Sequence, residues 1–442
     1  MQHNGTLTCK AFRVNVLIVV CSNVRTFERL GVTQSKVSPM SAISPAPTSR
    51  ALEGVKVLDI SNFLAAPMCS MFLADHGAEV LKVEKPGVGD EIRRWGESKD
   101  GVGLYYKVIN RGKRSITLDL KSEFGVEVIK RLVKDVDIIV ENYRTGTLEK
   151  WGLGYDVLKE INPGLIMVRI TGYGQTGPYK HRPGFGTLAE AYAGYAYISG
   201  YPDQPPLLPG FALGDASTGM MAAFLTMVAL QEKQKTGRGQ IVDLAIYETL
   251  LTLLGPHVVN YDQLGQIQER NGSRLPFTAP RNTYQTRDGK WIAIAGSSQA
   301  AFERICELVH RLDLVQDARF ANNRARLDND KALDAELQAG VGSMTLEDVL
   351  ARSELIGSTV APVNDVSMIF EDPHIQARQS VTHVPDRELG APVGMQNVVG
   401  RLSVTPGHIE RAGPALGEHN RQVLIDLLGY GEEELASHGI TA

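Results

Sequence analysis

Cysteine is scarce in this chain and never paired by spacing. Cys9, Cys21, Cys69 and Cys306 are scattered over 442 residues, with no CxxC and no histidine cluster at ligand spacing. Neither a disulfide framework nor a metal site is expected, and a reducing, cytoplasmic setting fits. A large excess of one charge is missing too: 46 Lys and Arg stand against 50 Asp and Glu, a net charge of -4. That balance excludes a polybasic nucleic-acid binder, and 43% hydrophobic residues exclude a strongly disordered chain. No run reaches the roughly 18 consecutive apolar residues of a membrane-crossing helix, and residues 14–21, the longest candidate, are interrupted by Asn15. No membrane partner is expected. Internal repeats and long low-complexity segments are also missing, which leaves small molecules and copies of the chain as partners.

At this length the chain holds two or three domains, each able to bury its own core. Residues 1–50 differ from the rest: Lys10, Arg13, Arg25, Arg29, Lys36 and Arg50 face the single acid Glu28 amid many Ser and Thr. Two readings fit this extension, a mitochondrial transit peptide directing the protein to the matrix, or a translation start at Met40.

From Leu52 the pattern is that of an α/β domain. A buried strand over 55–60, a helix opened by Pro67 and closed by Gly77, and a strand over 78–84 make a β-α-β unit with a right-handed crossover. Any nucleotide-sized ligand would lie beyond the strand ends, near 61–66 and 84–86. The first turn, Ser61 to Pro67, contains no glycine, so it lacks the G-x-G-x-x-G of a dinucleotide site, which argues against NAD. Glu84 stands where such folds place a ribose-binding acid; Lys85 beside it suits either a ribose phosphate or plain solvent. The basic turn Asn110-Arg111-Gly112-Lys113-Arg114-Ser115, leading into a strand over 116–120, is a candidate phosphate cradle. Further strands are expected over 136–140, 165–170 and 240–244, with helices over 122–134, 147–151, 185–199, 220–230 and 247–254. A polar, irregular stretch over 265–278 marks a domain boundary, followed by a strand pair over 281–286 and 291–295 and mostly helical segments to 355.

The chain is arranged around Pro209 to Gly219, where a Pro/Gly-rich loop meets a long apolar helix with Asp215 at the junction. A carboxylate at a helix N-terminus is stabilised in its ionised form, which suits either a helix cap or a nucleophile.

Eight ordered markers across residues 52–430 are similar to the class III coenzyme A transferase family, the formyl-CoA transferase and carnitine-CoA transferase group. They are Leu-Glu-Gly-Val-Lys-Val-Leu-Asp-Ile at 52–60, Gly-Ala-Glu-Val-Leu-Lys-Val-Glu-Lys-Pro at 77–86, the basic turn at 110–115, Val-Glu-Asn-Tyr at 140–143, Gly-Tyr-Gly-Gln-Thr-Gly-Pro at 172–178, Gly214-Asp215, Lys-Thr-Gly-Arg-Gly-Gln at 235–240, and Leu-Gly-Glu-His at 416–419. The resemblance implies an α/β fold: a Rossmann-like, parallel-sheet large domain formed by both chain ends (51–265 and a return within 341–442), a smaller inserted α+β domain (266–340), and an intertwined homodimer. It implies Asp215 as the nucleophile that carries coenzyme A as an aspartyl thioester. Asn62, Phe63 and Leu64 match first-turn contacts to coenzyme A, Lys85 a phosphate contact, Asn142 and Tyr143 contacts to pantetheine, and Lys150 and Trp151 an adenine-proximal pair. Gly296, Ser297 and Ser298 match a lid loop. An acyl-CoA donor and a carboxylic acid acceptor, preferably a small dicarboxylate such as succinate, are the implied substrates, with no permanently bound cofactor and with Arg182 or Arg281 as a clamp for the distal carboxylate. Leu64 and Gly186 depart from the formyl-CoA transferase pattern, so formate and oxalate are not expected. The sister branch, α-methylacyl-CoA racemase, is the alternative. It needs an acid/base pair after Arg-x-Gly, where this chain has Phe185-Gly186 with His181 nearby.

Overall fold

The computed structural model describes residues 50–441. The basic extension before Arg50, with its targeting pattern, Met40, Cys9 and Cys21, lies outside the described residues.

Short apolar runs and their punctuation build the main sheet. β1 (Lys56–Asp59), α1 (Ala65–Asp75) and β2 (Glu79–Glu84) form the expected first unit. α2 (Leu104–Ile109), β3 (Lys113–Thr117), α3 (Glu123–Val133), β4 (Ile138–Glu141), α4 (Thr147–Lys150), α5 (Tyr155–Ile161) and β5 (Ile166–Thr171) follow. After α6 (Gly186–Tyr192) and α7 (Tyr195–Ile198) come α8 (Leu213–Thr236), β6 (Ile241–Ala245), α9 (Ile246–Leu253) and α10 (His257–Leu264). The six strands are all parallel, in the order β3-β2-β1-β4-β5-β6. This doubly wound order reverses between β1 and β4, so a crevice opens beyond their carboxyl ends.

Strands buried on both faces are nearly continuous in Val, Ile and Leu, as the central strands are here. One face packs on α1, α6, α8 and α9, where Ala66, Ala189, Ala222 and Ala229 allow close approach. The other face packs on α3, α4 and α5 and on the C-terminal segment, whose Val423, Leu424, Leu435 and Ile440 are buried with Leu58 and Ile60. By length and composition the 24-residue α8 would suffice to cross a membrane. Here Gly219 packs so tightly on α1 that a Cβ would lie 2.6 Å from Met68 Cβ.

Farther along, β7 (Arg281–Gln285), β8 (Trp291–Ala295) and β9 (Val360–Pro362) form an antiparallel sheet. Its core combines Tyr284, Ile292 and Ile294 with Phe302, Leu333, Leu337 and Val349.

Several boundaries depart from the sequence expectation. The helix expected over 185–199 is two helices, because Gly194 adopts φ 90° between them. α8 starts at Leu213 rather than Met220: the hydroxyls of Ser217 and Thr218 donate back to the Leu213 and Gly214 carbonyls, so small polar residues continue the helix instead of breaking it. β3 begins at Lys113, earlier than expected, and takes the second half of the basic turn into the sheet.

That displacement overturns the phosphate-cradle reading. Lys113 Nζ is buried against Asp59 (2.8 Å), the Pro67 carbonyl and Asn110. The Arg111 guanidinium makes a bidentate pair with Asp75 (2.9 and 2.6 Å) and donates to the Gln396 carbonyl (2.8 Å). Ser115 and Thr117 are tied to the Leu-Gly-Glu-His segment. The Ser115 N–H donates to His419 Nδ1, Gly417 N–H to Ser115 Oγ, and Asn420 bonds Thr117 through both backbone and side chain. Two of the sequence markers are thus one fastener between the chain's C-terminal part and β3. Glu84 is no ribose ligand either: Arg93, Tyr106, Ser115 and the Asp90 N–H occupy both its oxygens.

Candidate active site

A cavity of about 1240 Å³ opens over the crevice between β1 and β4 and runs to the N-terminus of α8. Asn62, Phe63, Leu64, Lys85, Asn142, Tyr143, Trp151, Arg182 and Asp215 all line it. Lys150, Arg281, Gly296 and Ser297 are not among its lining residues. Lys150 is exposed at the end of α4, Arg281 Nη1 donates to the Ser273 carbonyl, and Gly296 N–H donates to the Pro280 carbonyl at 2.7 Å.

The first turn is fixed from below. Asp59 sits at the end of β1 between two buried ammonium groups; burial alone would raise its carboxyl, but Lys113 and Lys82 hold it well below the usual range. Lys82 in turn pairs with Asp90 at 2.8 Å, and Asp90 Oδ1 accepts the Phe63 N–H at 2.9 Å. This holds Phe63 at φ 64°, a left-handed conformation that costs a non-glycine residue about 1–2 kcal/mol. The strain turns the Phe63 ring toward Trp95 and Phe185, with edge-on centroid distances of 5.4 and 5.7 Å. Asn62 and Asn142 clasp each other across the switch point: the Asn62 N–H donates to Asn142 Oδ1 (2.9 Å), and Asn142 Nδ2 donates to the Asn62 carbonyl (2.6 Å). Tyr143 completes the clasp through its hydroxyl (3.3 Å) and packs edge-on against Trp151.

At the other end Asp215 occupies the first turn of α8. Burial and the neighbouring Glu190 carboxylate push its carboxyl up to about 6. Gly186 lies directly against it: a Cβ there would stand 2.5 Å from Asp215 Oδ2. The glycine that replaces an acid in the related pattern is therefore what makes room for the carboxylate. Gly172 and Gly184 cross as closely, 2.6 Å from a built Cβ to the opposing Cα, which lets the loops after β5 and before α6 share one wall.

Sequence reasoning missed Glu190, Trp95, Lys121, Arg144 and Lys180, all lining the same cavity. For Glu190 a signal existed, since it is the only charged residue over 185–199, an apolar, Ala-rich helical stretch. Lys85, Lys121, Arg144, Lys180 and Arg182 form no ion pair with another described residue, so the cavity wall presents cations at both ends. The Arg182 guanidinium lies over the Tyr179 ring, 3.5 Å from its centroid, while His181 is exposed.

The site is thus a long cleft with unpaired cations on its wall, at the switch point of a doubly wound sheet that lacks a dinucleotide fingerprint. It ends on the Asp215 and Glu190 carboxylates, a layout that suits an α/β enzyme acting on a large anionic ligand. Residues 52–420 match the family described as CoA-transferase family III, and the chain belongs to that family, transferases that move coenzyme A between carboxylic acids. It is 44% identical over 388 residues to the succinyl-CoA–D-citramalate CoA-transferase of Chloroflexus aurantiacus, covering 88% of this chain and 96% of the relative. Identity to the human succinyl-CoA:glutarate CoA-transferase is 34% over 408 residues, covering 91% of each. A CAIB/BAIF family protein from Brucella suis superposes with a TM-score of 0.76 at 34% identity, over 86% of this chain and 99% of that one.

Proposed function

We propose that the protein transfers coenzyme A from succinyl-CoA to a C4–C5 dicarboxylic acid through a covalent thioester on Asp215. The observation that carries this is the placement of Asp215: largely buried, at the end of the cleft, with Gly186 beneath it and a carboxyl raised to about 6. A desolvated carboxylate that is still ionised at neutral pH is a stronger nucleophile than a solvated one.

In the reaction, an Asp215 oxygen attacks the thioester carbonyl carbon, the carbon–sulfur bond breaks, and coenzyme A leaves as thiolate, so that a mixed anhydride of succinate and Asp215 remains. The thiolate attacks the Asp215 carbonyl carbon, expelling succinate and leaving the aspartyl thioester. The acceptor carboxylate attacks that carbon and displaces the thiolate, which then attacks the acceptor's acyl carbon, so the new thioester departs and Asp215 is regenerated. Asn62, Phe63, Leu64, Asn142, Tyr143 and Trp151 line the path of the pantetheine arm and the adenine end, and Lys85 and Arg144 suit its phosphates. Arg182 and Lys180, at the Phe185 side, suit the distal carboxylate of a diacid. The two relatives named above, which act with succinyl-CoA on D-citramalate and on glutarate, support that choice.

We also read the active form as a homodimer. Met220 (53% exposed), Phe224 (61%) and Val228 (52%) make an apolar stripe on α8, and Val258, Tyr261 and Leu264 on α10 are exposed as well. Exposed apolar side chains aligned along one helix face mark an interface.

The test is peptide mass spectrometry after incubation with succinyl-CoA, with borohydride or hydroxylamine trapping, in the wild type and Asp215→Ala. An adduct confined to Asp215 is expected. No adduct with several donors, together with α-hydrogen exchange of a 2-methylacyl-CoA in deuterated water, would instead assign the racemase branch.

A further inference from the structure

Helix α8 begins without a cap of its own. Its N-cap is Ala212, which has no side-chain oxygen, and the first-turn N–H groups of a helix need acceptors. The acceptor comes from elsewhere in the chain: Glu190 Oε1, on α6, takes the Gly214 N–H at 2.9 Å. Glu190 is 3% exposed, and it lines the cavity with Asp215. It also lies one helical turn from Gly186, where an added Cβ would stand 2.5 Å from Asp215 Oδ2. A buried carboxylate capping the residue next to another carboxylate is costly, and a neutral Ser or Asn at 212 would cap the helix equally well.

We infer that Glu190 is a positioning residue for the transferase reaction: its carboxylate caps α8 from α6 to aim Asp215 into the cleft, and its negative charge keeps the Asp215 carboxylate basic. The inference rests on Asp215 being the nucleophile. The titratable groups facing Asp215 are Glu190 from α6 and Tyr105 from α2, the latter's hydroxyl pushed up by burial and by Asp215 itself. Leu250 of α9 packs on the same turn and Gly186 carries no side chain, so Glu190 is the one anion brought to bear by tertiary contact among the described residues. Like charge raises a neighbouring carboxyl, and a more basic carboxylate adds faster to a thioester and leaves less readily from the anhydride.

The experiment follows formation of the trapped succinyl-CoA adduct on Asp215 from pH 4.5 to 8 in the wild type, Glu190→Gln and Glu190→Ala. Glutamine keeps the hydrogen bond to Gly214 and removes the charge; alanine removes both. In the wild type the rate should fall below a midpoint of about 6. In Glu190→Gln the adduct still forms, which shows a folded site, but the midpoint moves down by about one pH unit and the rate on the alkaline plateau drops. In Glu190→Ala the plateau drops further, and KM for succinyl-CoA stays within about twofold in both variants, because no lost contact is to substrate. A wild-type midpoint retained in Glu190→Gln, with an adduct on Asp215, overturns this inference alone. Absence of any Asp215 adduct in the wild type overturns the nucleophile assignment and this inference together.

Discussion

At Asp215 function and stability oppose each other. The carboxyl is raised in the fold from 3.8 to about 6, so the folded protein holds a proton there that the unfolded chain has released. The contribution is fully present below about pH 4 and is lost as pH rises through 6. By linkage the loss is on the order of 2–3 kcal/mol. Asp215→Asn, which cannot ionise, should therefore match the wild type in urea denaturation at pH 4 and exceed it by about 2 kcal/mol at pH 7.5, while losing at least about 10³-fold in kcat. Equal stability at both pH values would show that the site does not strain the carboxylate. Gly186 is the second sensitive residue. With 2.5 Å between a Cβ and Asp215 Oδ2, Gly186→Ala has to displace the carboxylate, and misplacement by about 1 Å costs about 10²-fold in rate. Kinetics should show kcat falling while KM for the CoA ester holds.

Between elements, the cations of the 110–115 turn act as bolts. Arg111 joins α2 and β3 to Asp75 at the end of α1 and to the Gln396 carbonyl in the C-terminal part. Breaking one side of a buried pair leaves the other charge bare and costs about 3–5 kcal/mol. Arg111→Leu should thus lower the urea midpoint sharply, with unchanged KM for succinyl-CoA in the protein that remains folded; a phosphate ligand would do the reverse. Lys113 and Arg111 were legible as cations beside a glycine, and nothing local distinguished a ligand cradle from an internal partner. The distinction lay in Asp59 and Asp75, which are 54 and 36 residues away.

Over the whole molecule, the apolar stripe on α8 bears on assembly. A charged residue in its middle, Phe224→Glu, should convert a dimer into monomer in light scattering. Phe224 is 61% exposed in the single chain, so the monomer's fold should hold, with unchanged near-ultraviolet circular dichroism. A wild-type protein that scatters as a monomer at micromolar concentration would remove the dimer.

The order of the sheet strands, the first β-α-β crossover, and the one carboxylate at a Pro/Gly-to-helix junction were all determined by the sequence. They depend on hydrophobic period, on glycine and proline, and on neighbours within one or two turns, which a linear pattern records. Tertiary structure alone decided the rest. Alternation along β3 turned Lys113 and Ser115 inward to waiting acids, and Asp90 held Phe63 in a left-handed turn toward Phe185. Glu190 was brought beneath the start of α8, and Lys180 and Arg182 were set on the cleft wall while Gly296 and Ser297 lay off it. Each of these depends on a partner far away in the chain, and burial charges such a pairing with a strength that no local pattern carries.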